Sequence, residues 1–301
     1  MARDLAQRFP AARDTLAAID DALGGGVPLT RIMWEGPEEE LQQTRHTQPA
    51  ILAHSAAVLA LVRERLGPVA GAAGHSLGEY SAYVAAASLT PVEAARLVRR
   101  RGELMQQAGE ARPGAMAAVL GLPTEAVERA CSEATGKGGA VVVAANLNTP
   151  DQTVISGDPA AVELAGERCK AAGANRVVPL KVSGAFHSPL MAPAVPGLQE
   201  ALAAAEFRDP AFPVAANATA EPVSTAAQAV KLLVAQITAP VRWVECVRTL
   251  AALASGARWV ELGPGSVLAG LVKRIVPGAR TLSLGTADQV ERFLAAPGAE
   301  P

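Results

Sequence analysis

The stretch Gly74-His75-Ser76-Leu77-Gly78-Glu79-Tyr80 is typical of a tight turn between a strand and a helix, because a serine inside Gly-x-Ser-x-Gly usually occupies such a turn. The residues from Val69 to Ala73 are small and apolar, as in a buried strand, and Glu79 to Ala87 follows a helical pattern. The glycines at 74 and 78 predict positions with no room for a side chain. This context predicts that Ser76 is an exposed nucleophile.

The same turn predicts how a negative charge on the substrate would be stabilised. Ser76 lies at the start of the predicted helix, where backbone N–H groups point towards an anion. We therefore expect the backbone N–H of Leu77 to contribute to an oxyanion hole.

Composition and charge narrow the class of protein. The chain has 301 residues and a formal net charge of −2, which predicts a soluble globular protein and gives no sign of nucleic-acid binding. It contains no apolar stretch of membrane-spanning length and no apolar signal region, so we expect a cytoplasmic location and no membrane partner. Three scattered cysteines, and four histidines away from metal-ligand spacing, predict no disulfide framework and no metal site.

Helix and strand patterns along the chain predict a core interrupted by an insert. Helical patterns run from Asp4 to about Leu66, with Thr47-Gln48-Pro49 opening an apolar helix. From residue 113 the order becomes β-α-β-β-α-β, the ferredoxin-like arrangement of a small subdomain. The predicted domains are therefore 1–112 and 184–301 for an α/β core and 113–183 for the small subdomain. The last fifteen or so residues are expected to form a helix that ends in a frayed tail.

A serine hydroxyl needs a base before it can attack, so the choice of histidine matters. His187 is the strongest candidate, because it lies where a predicted strand gives way to a helix, and catalytic groups gather at such loops. A histidine that only packs or caps a loop is the alternative. We expect structural roles for the other three histidines, which are His46, His54 and His75.

Several further motifs occur in a fixed order along the chain. They are Gly74-His-Ser-Leu-Gly-Glu-Tyr-Ser-Ala, Arg101-Gly-Glu-Leu-Met-Gln, Ala145-Asn-Leu-Asn-Thr-Pro-Asp-Gln-Thr-Val-Ile-Ser-Gly, Gly184-Ala-Phe-His and Glu261-Leu-Gly-Pro-Gly. Together they resemble the malonyl-CoA:acyl carrier protein transacylase family of bacterial type II fatty acid synthesis, over essentially the whole chain. The resemblance implies an α/β-hydrolase-like core that carries an inserted ferredoxin-like small subdomain.

The resemblance also implies roles for individual residues. Ser76 and His187 would form a catalytic pair, with a main-chain carbonyl orienting the imidazole. Arg101 would bind the malonyl carboxylate, for which a planar guanidinium offers two parallel hydrogen bonds. Phe186 would favour malonyl over methylmalonyl, since its ring fills the space of an α-methyl group. The neighbouring arginines are interpreted as a solvated helix face; these are Arg96, Arg99 and Arg100.

Two further polar residues match family positions near the substrate pocket, and each keeps an alternative. Gln48 binds substrate or only starts a helix. Asn148 either lines the cleft between the subdomains or is only a turn residue. The same two alternatives hold for its neighbours Asn146 and Gln152.

The implied reaction moves a malonyl group from coenzyme A to the phosphopantetheine thiol of acyl carrier protein through a malonyl-Ser76 ester, with no cofactor. The expected partners are malonyl-CoA and acyl carrier protein, and the protein is expected to be a monomer. A basic patch for the carrier would involve Lys181, Lys273 and Arg274. The alternatives are a thioesterase or lipase-like hydrolase, a polyketide acyltransferase, and an inactive protein that binds the carrier.

The chain departs from the family at its start. Members normally begin with a buried strand and a loop of the type Phe-Pro-Gly-Gln-Gly-x-Gln, whose glutamine N–H completes the oxyanion hole. Here Met1-Ala-Arg-Asp-Leu matches the residues that follow this loop. We therefore expect the N-terminal strand of the family to be missing, through a start codon assigned too late or a shortened chain. One oxyanion donor is typically worth roughly 10²–10³ in rate.

Overall fold

The computed structural model describes residues 1–136, 139–182 and 184–296. Its N-terminal part is helical, and a long apolar helix, Thr44–Val62, is packed against a later helix, Pro91–Ala111. The first helices are α1 (Arg3–Arg8), α2 (Pro10–Leu23), α3 (Leu29–Glu35), α4 (Glu38–Gln42) and α5 (Thr44–Val62), and α6 (Gly78–Ala85) and α7 (Pro91–Ala111) follow. None of the helices in the described ranges is both long and apolar enough to cross a membrane.

The helix that carries Gln48 begins earlier than the sequence predicted. Helix α5 starts at Thr44 and contains Pro49, which gives up one helical hydrogen bond because it has no N–H. The residues that follow, such as Leu52 and Ala53, are fully buried, and this packing offsets the loss. Gln48 therefore lies inside the helix with 3% of its surface exposed, and the helix-start alternative for it is wrong.

Residues 115 to 179 contain a four-stranded antiparallel sheet, in which the second strand along the chain is followed by the third, the first and the fourth. The strands are β1 (Ala115–Leu120), β2 (Val142–Thr149), β3 (Gln152–Gly157) and β4 (Arg176–Pro179), with helix α8 (Thr124–Ala134) after β1 and helix α9 (Pro159–Ala171) after β3. Alternating residues point to opposite faces of the sheet. Val119 and Ile155 meet both helices in an apolar cluster, whereas Met116 and Val154 pack near Phe186 on the other face.

The remainder of the chain returns to an alternation of helices and short strands. Its elements are a 3₁₀ segment (Pro189–Ala194), α10 (Val195–Ala204), β5 (Val214–Ala215), β6 (Pro222–Val223), α11 (Ala226–Gln236), α12 (Trp243–Leu253), β7 (Trp259–Leu262), α13 (Val267–Ile275), β8 (Thr281–Leu284) and α14 (Ala287–Ala295). Strands β5 and β6 pair antiparallel, and β7 and β8 pair parallel. Helix α14 ends before the expected frayed tail, whose positions 297–301 lie outside the described residues.

The predicted buried strand from Val69 to Ala73 is wrong in its extent. Within the described residues, Ala72 alone of this segment forms a bridge, parallel to Val214, through its N–H to Pro213 and its carbonyl to the N–H of Ala215, each at 2.9 Å. Val69 is 37% exposed. A strand exists through pairing with its neighbours, and small apolar residues alone do not supply that pairing.

A second bridge joins the four-stranded sheet to the rest of the molecule. Val241, just before helix α12, donates its N–H to Ala145 at 2.8 Å and accepts from the N–H of Leu147 at 2.9 Å. Strand β2 thus continues past Asn146 and Asn148, so the interpretation of these asparagines as turn residues is wrong. This bridge brings the end of β2 to the loop that follows α11.

Candidate active site

The predicted turn around Ser76 is present, and its backbone is strained. Ser76 has φ = 54°, a backbone conformation that residues other than glycine rarely adopt. A Cβ on Gly74 would lie 1.8 Å from the carbonyl oxygen of Gly78, so the turn closes tightly over position 74. A Cβ on Gly78 would meet no heavy atom within 4 Å, and the predicted lack of room there is wrong because that position faces out of the turn.

Ser76 and His187 lie within hydrogen-bond distance. The Oγ atom is 2.7 Å from Nε2 of the imidazole, and Nδ1 is 3.0 Å from the backbone carbonyl of Gln236. A carbonyl only accepts, so Nδ1 carries the hydrogen and Nε2 is left as an acceptor for the serine proton. Burial, reinforced by the charge of Arg101, lowers the pKa of His187 to about 3. The imidazole is therefore neutral at pH 7 and able to act as a base.

Arg101 reaches the same point from helix α7 and is only 1% exposed. Its Nη1 donates to Oε1 of Gln48 at 2.7 Å, and its Nη2 donates to Oγ of Ser76 at 3.0 Å and to Oε1 of Gln236 at 2.9 Å. Its Nε has no partner in the described part of the chain, where no carboxylate forms an ion pair with it. Arg101 is thus a buried cation held by neutral groups beside the serine.

Three polar residues that the sequence interpretation missed hold this arrangement together. Asn217 accepts from the N–H of Ser76 at 2.7 Å and donates to the carbonyl of Gly74 at 2.8 Å. Gln236 donates to the carbonyl of Ser76 at 3.0 Å and to Oε2 of Glu79 at 2.7 Å. The fully buried Glu79 also accepts from the N–H of Asn217 at 2.9 Å. The turn is therefore clamped from both sides.

The oxyanion donor expected at Leu77 lies at the start of helix α6. Leu77 is the residue before the first helical residue, Gly78, and its N–H makes no hydrogen bond to any group in the described ranges. The N–H of Ser76 is different, because it already donates to Asn217. An oxygen developing a negative charge beside Ser76 would therefore find the Leu77 N–H unoccupied.

The other expected site residues, Asn148, Phe186 and Gln48, make different contacts around this site. Asn148 contacts His75, with 2.8 Å between Oδ1 and Nε2, and the His75 ring lies 5.6 Å from that of Trp243. Phe186 directly precedes His187 and is half-buried in the apolar cluster on the open face of the four-stranded sheet. Gln48 directly contacts Arg101.

Basic residues outside the site are mostly exposed. Lys181 and Lys273 are exposed, and Arg274 donates to Asp151 at 2.6 Å and to Gln152 at 3.0 Å. Arg99 departs from the predicted solvated face, because its Nη1 lies 3.0 Å from Nδ1 of His46 and its side chain is half-buried.

A strained serine turn, a neutral histidine and a buried arginine, set in an α/β fold, are the features of a serine-dependent acyl-transfer protein. The chain belongs to the acyl transferase domain family, whose profile matches residues 1–290. The family resemblance that the motifs predicted is thereby confirmed.

Comparison with individual known proteins supports the same family. Over 292 residues the chain is 41% identical to the malonyl CoA-acyl carrier protein transacylase of Bacillus subtilis (strain 168), covering 97% of this chain and 90% of that protein. The crystal structure of a malonyl-CoA:acyl carrier protein transacylase from Xanthomonas oryzae pv. oryzae superposes with a TM-score of 0.92 at 41% identity, covering 99% and 94% of the two chains. A malonyl transacylase solved in complex with its type II polyketide synthase acyl carrier protein has a TM-score of 0.91 at 42% identity, covering 98% and 94%.

Proposed function

We propose that this protein transfers a malonyl group from coenzyme A to the phosphopantetheine thiol of acyl carrier protein, for fatty acid synthesis. Its family and its relatives, which are named malonyl CoA-acyl carrier protein transacylases, support this function. The observation that carries it is Arg101, a buried cation 3.0 Å from the serine oxygen with neutral partners. Such a cation suits an acyl group that itself bears a carboxylate.

The first half of the reaction acylates Ser76. The neutral His187 takes the serine proton on Nε2 while Oγ attacks the thioester carbonyl, and the Leu77 N–H donates to the resulting oxyanion. The carbon–sulfur bond then breaks, and the sulfur of coenzyme A takes the proton from His187. A malonyl-Ser76 ester and free coenzyme A result. Gln236 keeps the imidazole in the tautomer that this step needs, through its backbone carbonyl.

The second half transfers the malonyl group to the carrier. The phosphopantetheine thiol gives its proton to His187 and its sulfur attacks the ester carbonyl. The ester bond breaks, and Oγ of Ser76 recovers the proton from His187. Each half-reaction returns the histidine to its neutral form. Coenzyme A leaves before the carrier reacts with the malonyl-Ser76 ester, so the kinetics are ping-pong.

Arg101 orients the acyl group in both halves. Its Nε has no partner among the described residues, and Nη2 on the same edge of the guanidinium donates to Ser76 and Gln236. A carboxylate that replaces Oγ of Ser76 on this edge accepts two parallel hydrogen bonds. That carboxylate also offsets the positive charge that depresses the pKa of His187, which makes the transient imidazolium less costly. Gln48 accepts a hydrogen bond from Nη1, the other terminal nitrogen, and we assign it to substrate positioning.

We assign finer roles and boundaries as follows. Phe186 selects malonyl over methylmalonyl, and Asn148 supports the substrate pocket through His75. The core is α/β-hydrolase-like and comprises 1–112 and 184–301, while 113–183 forms an inserted ferredoxin-like subdomain. The strand order β2-β3-β1-β4 and the separate apolar cluster around Ile155 support this division. The cytoplasmic location and the monomeric state stay predictions.

A polyketide carrier is a second candidate acceptor. One solved relative is a malonyl transacylase in complex with a type II polyketide synthase acyl carrier protein, and it covers 98% of this chain. The chemistry at Ser76 is the same for either carrier, so acceptor preference has to be measured with both.

Intact-mass measurement after mixing with malonyl-CoA tests the function. We expect a malonyl adduct that is absent in Ser76→Ala, strongly reduced in Arg101→Ala, and discharged by a phosphopantetheinylated carrier. Acetyl-CoA, which lacks the carboxylate, serves as the control donor and should label the protein poorly. An adduct lost to water as fast as to the carrier would instead favour a thioesterase, and a wild-type chain that neither forms an adduct nor transfers malonyl would rule the function out.

A further inference from the structure

Two buried groups of opposite charge type face each other across one side-chain amide. Oε1 of Gln236 accepts from Arg101 at 2.9 Å, and Nε2 of the same side chain donates to Glu79 at 2.7 Å. Arg101 is 1% exposed and Glu79 is fully buried. Arg101 and Glu79 form no direct ion pair within the described residues. Glu79 nevertheless lies close enough for the guanidinium to favour its ionised form.

The other titratable groups around Glu79 are neutral at pH 7. Tyr80 and Tyr83 lie on its own helix α6, and Cys246 comes from helix α12. Burial raises the pKa of each of them, that of Cys246 to about 12. Arg101, from helix α7, is thus the charged residue that balances an ionised Glu79 in the described part of the chain. Burial raises the pKa of Glu79 to about 7 in spite of this cation.

The hydrogen bonds of Glu79 leave room for a proton. Both donors, the N–H of Asn217 and Nε2 of Gln236, bind Oε2. Oε1 is buried and has no partner in the described ranges. A proton on Oε1 therefore breaks none of the bonds that clamp the serine turn.

We propose that Glu79 takes up a proton from solvent when the carboxylate of the acyl substrate binds Arg101. The inference rests on the proposed function, because it needs an acyl group that carries a carboxylate. Arg101 can balance one carboxylate, and two buried carboxylates that share one cation leave an uncompensated negative charge. Protonation of Glu79 removes this charge, so Arg101 exchanges an internal counter-charge for the substrate.

Isothermal titration calorimetry in buffers of different ionisation enthalpy measures this uptake. The Ser76→Ala variant is titrated with malonyl-CoA so that binding is observed without acyl transfer, and acetyl-CoA controls for protons bound by the coenzyme itself. Near pH 7 Glu79 is about half ionised. We therefore expect the protein to take up as much as about half a proton more when it binds malonyl-CoA than when it binds acetyl-CoA. The double variant Ser76→Ala/Glu79→Gln should bind malonyl-CoA with this difference abolished.

Two results would overturn the proposal. One is binding of malonyl-CoA to Ser76→Ala without the extra uptake, and the other is an uptake that persists in the double variant. If the double variant does not fold, an infrared difference spectrum of Ser76→Ala labelled with ¹³C-glutamate decides, since malonyl-CoA must create a protonated-carboxyl band that acetyl-CoA does not. Failure of the proposed function looks different, because the wild-type chain would then form no malonyl adduct and Ser76→Ala would not bind malonyl-CoA.

Discussion

The site around Ser76 and the core of the four-stranded sheet are both buried, but the site is polar and charged whereas the core of the sheet is apolar. Beneath the serine turn lie Glu79, Arg101 and Gln236, all buried and joined by hydrogen bonds. Between the sheet and helices α8 and α9 lie residues such as Val119 and Ile155, which are fully buried and apolar. The first arrangement fixes the position of reacting groups at a cost in desolvation, and the second supplies stability through burial.

The difference teaches that burial alone does not identify what a residue does. A buried charge is tolerated only where hydrogen bonds and partners compensate it, so a substitution in the polar network should change chemistry. A substitution in the apolar cluster should change the free energy of unfolding. The predictions below test this separation of effects.

The largest effect on stability is expected in the apolar cluster. Ile155→Ala removes a fully buried side chain and should lower the free energy of unfolding by about 2–5 kcal/mol. Urea unfolding measures this change, and the malonyl-transfer rate per folded molecule should stay unchanged. Leu164→Ala on helix α9 is the matched control, since Leu164 is 40% exposed and its loss should cost less than about 0.5 kcal/mol. A transfer rate that falls with Ile155→Ala in the folded protein would contradict the separation.

The reverse pattern is expected at Arg101. Arg101→Lys keeps the charge but loses the planar fork, and a charged hydrogen bond is worth about 1.5–3 kcal/mol, so kcat/KM for malonyl-CoA should fall roughly 10- to 150-fold. Steady-state kinetics with malonyl-CoA and a carrier measure it. Arg100→Lys, one position away on the exposed side of α7, should leave kcat/KM within about twofold. Equal losses in both variants would mean that Arg101 has no specific part in binding.

The two glycines of the turn should differ although the motif treats them alike. Gly74→Ala forces a Cβ to within 1.8 Å of the Gly78 carbonyl and should destabilise the protein by about 1–3 kcal/mol and lower malonyl transfer. Gly78→Ala meets no atom within 4 Å, and its effect should stay below about 0.5 kcal/mol. Thermal unfolding and transfer rates of the two variants check this. Similar losses in both would restore the symmetric interpretation of the motif.

The smallest effect, counted per pH unit, is a pair of opposite slopes in the dependence of the free energy of unfolding on pH. The pKa of His187 is lowered from 6.5 to about 3, so the unfolded chain binds its proton first and the contribution to stability is lost as pH falls below 6.5. The pKa of Glu79 is raised from 4.5 to about 7, so its contribution is lost as pH rises from 4.5 towards 7. Relative to wild type, His187→Gln should therefore gain stability as pH falls and Glu79→Gln as pH rises, each by at most about 1.4 kcal/mol per pH unit.

Urea unfolding across the window from pH 4.5 to 6.5 measures both slopes, because both groups differ there between the folded and unfolded states. The comparison with wild type cancels the carboxyl groups that all three proteins share. Slopes of the same sign would show that burial does not act on the two groups as described.

Local signals allowed the sequence to predict which groups meet at the candidate site but not the residues that hold them in place. The turn around Ser76 has a pattern of glycines, and the family motifs name His187 and Arg101. Asn217 and Gln236 contact the turn from 141 and 160 residues further along the chain, and no local pattern encodes such a pairing. Gln236 did carry a weak signal, as a polar residue inside an apolar stretch. The prediction of a strand from Val69 to Ala73 was wrong in extent for a related reason, because the extent of a strand depends on pairing with distant residues such as Val214.

The bonds from Asn217 to both sides of the turn have a consequence for the order of folding. Ser76 holds a positive φ that an isolated turn would relax, and the side chain that holds it in place arrives from a residue 141 positions away. Closing so long a loop is slow relative to forming a local helix such as α6. We therefore expect the serine turn to be assembled late, so that a chain emerging from the ribosome carries the motif long before Ser76 takes its final conformation.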